Sequence, residues 1–166
     1  MRRFILIGIV AFLSLAQAQG QEMLENFRKN YPHARQDAKV CKQQIDIIDR
    51  SKLDSNLEIA YAGAFYAVWP EHLSSPLKKL NAFKKGKNYL EQAIQADEGN
   101  VEIHFLRLTI QHNAPAMLGY DEHIQDDLKI VLDHYKTMNS SILKTNIKKF
   151  LLPTDLLTAQ QRKLFE

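Results

Sequence analysis

The sequence predicts an all-α protein of stacked helical hairpins, a short α-solenoid or an irregular helical bundle of about six to eight helices. Three observations predict it. Apolar residues recur at helical spacing nearly throughout, with no convincing run of period-two alternation. Capping residues stand ahead of several of these stripes. Two successive segments, 55–96 and 100–137, read as helical hairpins of nearly equal length. The chain has 166 residues, enough for one compact domain. Its 45% apolar and 25% charged residues exclude a fully disordered chain, a collagen-like chain and a multi-span membrane protein.

The first eighteen residues read as a cleaved secretory signal. Arg2 and Arg3 form a basic start, Phe4 to Leu15 an apolar run, and Ala16-Gln17-Ala18 a small-x-small cleavage site. Cleavage is expected before Gln19, leaving 19–166 as a single helical domain of the periplasm or exterior. The competing reading is an uncleaved anchor, but a twelve-residue helix rises only about 18 Å against a hydrocarbon core of roughly 30 Å. No cysteine lies near the cleavage site, which speaks against a lipoprotein, and no later stretch is long and apolar enough to span. Lys and Arg number 22 and Asp and Glu 19; without Arg2 and Arg3 the balance is +1. The basic isoelectric point is therefore no sign of nucleic acid. Cys41, the one cysteine, shares a helical face with Ala38, Ile45 and Ile48 and reads as a small apolar packing residue. An intermolecular disulfide or a reactive thiol is its alternative.

A short helix over 21–30 ends before Pro32, and a second runs from about Ala34 to Arg50. The third starts at Ser55, with Glu58 completing a capping box, and stops before Pro70. It is apolar nearly all round, as a buried helix is. Ala60, Gly63, Ala64 and Ala67 form a small-residue strip that lets a neighbour approach. The fourth helix follows Pro76 and runs to about Ala96, with Leu77, Leu80, Phe83, Leu90, Ala93 and Ile94 turned inward. Gly86 in its middle costs about 1 kcal/mol relative to alanine, which close helix packing would explain. Asn100 caps a fifth helix to His112. It carries two apolar faces, Val101, Phe105 and Leu108 on one and Ile103, Leu106 and Ile110 on the other. Asp121 is the expected cap of the sixth helix, Ser140 or Ser141 of the seventh, and Thr158 with Gln161 of a short last one. The third and fifth helices should lie inside, the fourth and sixth more exposed.

The stretch Gly86-Lys-Asn-Tyr-Leu90-Glu-Gln-Ala93-Ile94-Gln-Ala-Asp97-Glu-Gly-Asn100 resembles the second helix and following turn of a tetratricopeptide repeat. Glu98 replaces that motif's usual proline, and its first-helix pattern is missing at the expected distance. Tyr61-Ala-Gly-Ala-Phe, Leu80-Asn-Ala-Phe-Lys-Lys-Gly86, Val101-Glu-Ile-His-Phe-Leu-Arg107-Leu, Gln111-His-Asn-Ala-Pro115 and Leu118-Gly-Tyr120 are similar to small exported proteins of Bacteroidetes-type bacteria. That resemblance implies export and a helical fold, and it transfers no site.

No motif names a reaction. There is no Gly-rich phosphate loop, no Gly-x-Ser-x-Gly and no His-Glu-x-x-His. Six histidines invite a metal, but His104 and His112 stand about 12 Å apart along one helix. Glu71-His72 near Trp69 is a candidate acid/base pair at a helix end, and neighbouring loop residues are usually just solvated; an enzyme would require a cleft bringing His104 or His72 beside a carboxylate. No catalytic residue, metal or cofactor is therefore assigned. Two surfaces are candidates for binding. Glu102, Arg107 and Gln111 ride on a buried helix, so they either form a structural network or line a partner groove with Tyr66 and Tyr120. Lys78, Lys79, Lys84, Lys85 and Lys87 crowd the fourth helix, either as a solvated face balanced by the acidic sixth helix or as a basic docking patch. The expected function is a non-catalytic protein-interaction or adaptor module of the envelope, whose partner is another envelope protein or peptide. The alternative is a small-ligand or lipid-binding helical domain with a pocket lined by Tyr61, Phe65, Tyr66 and Trp69.

Overall fold

A computed structural model describes residues 20–166; the segment read as a secretory signal, and Gln19, lie outside the described residues. Among the described residues there is no strand. Eight helices follow one another: α1 (20–30), α2 (Ala38–Arg50), α3 (Asn56–Val68), α4 (Pro76–Ala96), α5 (Val101–Asn113), α6 (Ile124–His134), α7 (Ser141–Leu151) and α8 (Ala159–Arg162). The all-α prediction and its helix count are met.

Local chemistry sets most boundaries. Ser55 and Glu58 close a reciprocal capping box at α3, and Thr158 and Gln161 do the same at α8. Asn100 accepts from the backbone amides of Glu102 and Ile103 at α5, and Ser140 caps α7. Two starts differ from expectation. Residues Tyr31–His33 form a separate 3-10 turn around Pro32, and α2 begins only at Ala38, where the Asp37 carboxylate accepts from the amides of Lys39 and Val40. Asp121 does not cap α6; the helix starts at Ile124 without a side-chain cap.

The helices pack as two hairpins, α3 against α4 and α5 against α6, with α3 also lying against α5. Ten of the thirteen residues of α3 and ten of the thirteen of α5 are buried, against five of twenty-one in α4. That contrast makes α3 and α5 the inner helices. The two apolar faces of α5 serve different cores. Ile103, Leu106 and Ile110 join the cluster built on α1 to α4, and Phe105 and Leu108 join the cluster of α6, α7 and the C-terminal turn.

The centre of the first core is aromatic. Phe27, Tyr31, Tyr61 and Phe65 stack at centroid distances of 5.6 to 6.4 Å, tilted or edge-on. Such pairs add about 0.5–1.5 kcal/mol each beyond the area they bury. Cys41 is fully buried beside them, its thiol directed at the Phe65 carbonyl 3.7 Å away. Burial pushes that thiol up to about 12, so it packs as an apolar residue.

Candidate functional site

The charged residues of α5 face two separate networks. Glu102, at the start of α5, accepts two parallel bonds from Arg28, Nε to Oε1 and Nη2 to Oε2, both 2.7 Å. The Tyr61 hydroxyl adds a third at 2.7 Å. Two of the four acceptor directions of the carboxylate thus receive a bidentate guanidinium, the strong form of a charged hydrogen bond. Glu102 thereby ties α1 and α3 to α5. Asn146 extends the tie, donating from Nδ2 to the Arg28 carbonyl at 2.8 Å and so bringing in α7.

The second network lies one turn further along α5. Asp127 of α6 is fully buried. It accepts from Arg107 Nε at 2.8 Å, from Arg107 Nη2 at 2.8 Å and from His104 Nδ1 at 2.6 Å. The other ring nitrogen of His104 faces the Glu98 carbonyl at 2.8 Å. A carboxylate and a carbonyl only accept, so both ring nitrogens must carry protons and His104 is an imidazolium. Burial works against that charge, but the bonds to Asp127 and Glu98 and the charge of Asp127 outweigh it, and His104 is raised above its ordinary value. Arg107 Nη1 reaches Glu91 of α4 at 3.1 Å, and the Tyr120 hydroxyl donates to Glu91 at 2.5 Å. Two cations and two carboxylates therefore balance. A buried pair is tolerated on that condition.

Arg107 and Tyr120, named from the sequence, are thus brought together through Glu91. Glu102 belongs to the other network. Tyr66 belongs to neither: its hydroxyl bonds Asp49, and Lys85 sits 3.7 Å over its ring. Gln111 follows Arg107 by one turn, is 2% exposed, and has no hydrogen-bond partner for either side-chain atom among the described residues. Arg28, Glu91 and Asp127 are the members that sequence reasoning missed. Asp127 had a signal: it stands in helical register with Ile124 and Val131, on the inward stripe, and not on the acidic outer face of α6.

On α4, Lys85 also pairs with Asp49 at 3.6 Å, and Lys87 lies 4.9 Å over the Tyr120 ring. Lys78, Lys79 and Lys84 are exposed and make no ion pair among the described residues. Leu77 and Leu80, expected inside, are instead 68% and 38% exposed. The residues of α4 that enter the core are Phe83, Gly86, Leu90, Ala93 and Ile94, so its buried stripe begins only in the second turn.

A cleft opens elsewhere on the molecule. It measures about 400 Å³ and lies between the segment 31–36, the C-terminal half of α5 and α7. Val68, Phe105, Ile110 and Phe150 give it apolar walls, and His33, Arg35, His112 and Lys149 give it polar ones. Tyr61, Phe65, Tyr66 and Trp69 do not line it. His72, a candidate acid/base residue from the sequence, bonds the Ala34 carbonyl at 2.7 Å, and Glu71 is ion-paired with Arg35. Among the described residues no three His, Cys, Asp or Glu side chains gather as metal ligands. No described helix is long and apolar enough to cross a membrane. Compared with protein-family models, with curated proteins and with solved structures, the chain matches none.

Proposed function

We propose that this chain is an exported, non-catalytic interaction module of the periplasm or cell envelope, and that the first half of α4 is its contact surface. The observation that carries this reading is the exposed pair Leu77 and Leu80 set among Lys78, Lys79 and Lys84. Exposed aliphatic residues ringed by unpaired cations suit a partner protein with an acidic rim around an apolar patch. The charges of α5, by contrast, are taken up by Arg28, Glu91 and Asp127 of other helices, which supports a structural part for them. Export rests on the basic start, apolar run and small-x-small site of residues 1–18.

The test is affinity capture from envelope extract. The wild-type chain should retain a partner that is lost from a Leu77→Ser, Lys78→Gln, Lys79→Gln, Lys84→Gln variant whose helical circular dichroism is unchanged. A variant that retains the same partner, or a wild type that enriches nothing over an unrelated helical protein, overturns the reading. Mass spectrometry of the exported protein should find Gln19 at its N-terminus; an intact Met1 in membranes overturns export. A second reading, a small-ligand-binding helical domain, is favoured by the cleft between α5 and α7.

A further inference from the structure

We infer that the cleft between residues 31–36, α5 and α7 binds a small amphipathic monocarboxylate, a molecule of the fatty-acid type with an apolar body and one anionic end. The inference rests on the ligand-binding reading and is independent of the α4 surface. A volume of about 400 Å³ suits a small molecule. Val68, Phe105, Ile110 and Phe150 offer the body an apolar seat.

The polar wall decides the sign of the ligand. No Asp or Glu lines the cleft. The adjoining hollow between α1 and α7 shares His33 and Lys149 with it and is likewise free of lining carboxylates. Lys149 therefore stands on the ridge between two acid-free hollows, exposed and without an ion-pair partner among the described residues. Arg35 is a weaker attractor because Glu71 already holds its guanidinium, Nε to Oε2 at 2.9 Å. One unshared cation matches one negative charge better than two.

The walls are fixed before anything binds. The Tyr31 hydroxyl is bonded to Thr109, Asn113 Nδ2 to the Thr109 carbonyl at 2.7 Å, and Asn146 Nδ2 to the Arg28 carbonyl at 2.8 Å. His112 is held edge-on to Phe150 at 5.8 Å. Among the lining side chains, the Gln36 amide, the His33 and His112 rings and the Lys149 ammonium make no side-chain hydrogen bond among the described residues, and of these only Lys149 carries a full charge at neutral pH. A preordered apolar seat with open donors at one side is arranged for an apolar body ending in an acceptor.

Titration with sodium decanoate, followed by backbone amide shifts on the full mature chain, tests this. Saturable shifts are expected at 31–36, 105–113 and 146–150. 1-Decanol, with the body and no charge, and acetate, with the charge and no body, should bind at least tenfold more weakly. Lys149→Glu should weaken decanoate about tenfold, leave decanol unchanged and keep the wild-type amide spectrum. The α4 variant described above should bind decanoate normally, so failure of one surface is separable from failure of the other. Absence of saturable decanoate shifts, decanol binding as tightly as decanoate, or an unaffected Lys149→Glu variant each overturns the inference. So does binding of an apolar peptide with a free C-terminal carboxylate where decanoate does not bind.

Discussion

Asp127 is where a single side chain decides most. It is fully buried, and Arg107 and His104 supply its bonds. Removing one partner from such a group leaves an undercompensated charge, which costs about 3–5 kcal/mol. Arg107→Ala should therefore lower the urea unfolding free energy by about 3 kcal/mol with native circular dichroism retained. Wild-type stability in that variant would mean that Arg107 serves a surface and not the fold. His104 carries a pH signature. Its folded-state value lies above the unfolded one, so its contribution is complete below the ordinary imidazole range and fades as pH rises through the raised value. Thermal midpoints of the wild type should fall across that interval, and His104→Gln should lack that part of the slope. A profile identical in both proteins would contradict the imidazolium. Arg107 was legible as a charge on a buried helix, which must be paired. Its partners were not, because Glu91 and Asp127 come from other helices, and a single helical stripe carries no information about what lies across from it.

At the scale of elements, the crossing of α3 and α4 sets the geometry of the first hairpin. A Cβ built on Gly86 would run into the Ala67 amide nitrogen and lie 2.6 Å from the Gly63 carbonyl oxygen. One built on Gly63 would lie 2.8 Å from the Gly86 carbonyl oxygen. Both obstacles are backbone, so they cannot swing aside. Alanine at 86 would gain about 1 kcal/mol of helix propensity but would force the two helices apart. Overpacking typically costs about 1–3 kcal/mol or more. Gly86→Ala is therefore expected to be destabilising in thermal unfolding, by up to about 2 kcal/mol net; a stabilised variant would refute the tight crossing. This crossing could be read in advance, since a mid-helix glycine opposite a small-residue strip points to close approach. Caps were equally legible at Ser55, Asn100 and Thr158, because a cap acts within four residues of itself. Asp37 escaped notice because the apolar stripe of α2 runs back to Ala34, while Pro32 and the turn at Tyr31–His33 shift the true start. Leu77 and Leu80 fit the inward stripe of α4 in sequence. Their exposure shows that the buried stripe of α4 starts only at Phe83, a boundary set by which residues of other elements lie opposite and so not written in the stripe itself.

At the scale of the whole molecule, α5 is the common wall of two cores, one on each of its apolar faces. The cleft follows from that arrangement. Its sides come from segments 31–36, 105–113 and 146–154, which lie far apart in the chain, so no local pattern announced it. The division of labour is that inner helices hold the fold while α4 and the α5–α7 cleft face outward. If α5 is the element both cores depend on, neither core can open without it. Native-state hydrogen exchange measures this directly. The amides of Ile103–Ile110 should exchange only through global unfolding, with the same free energy as those of Tyr61–Val68 in α3, while α6 and α7 exchange no more slowly. Exchange of the α5 amides through a local opening well below the global unfolding free energy would contradict it.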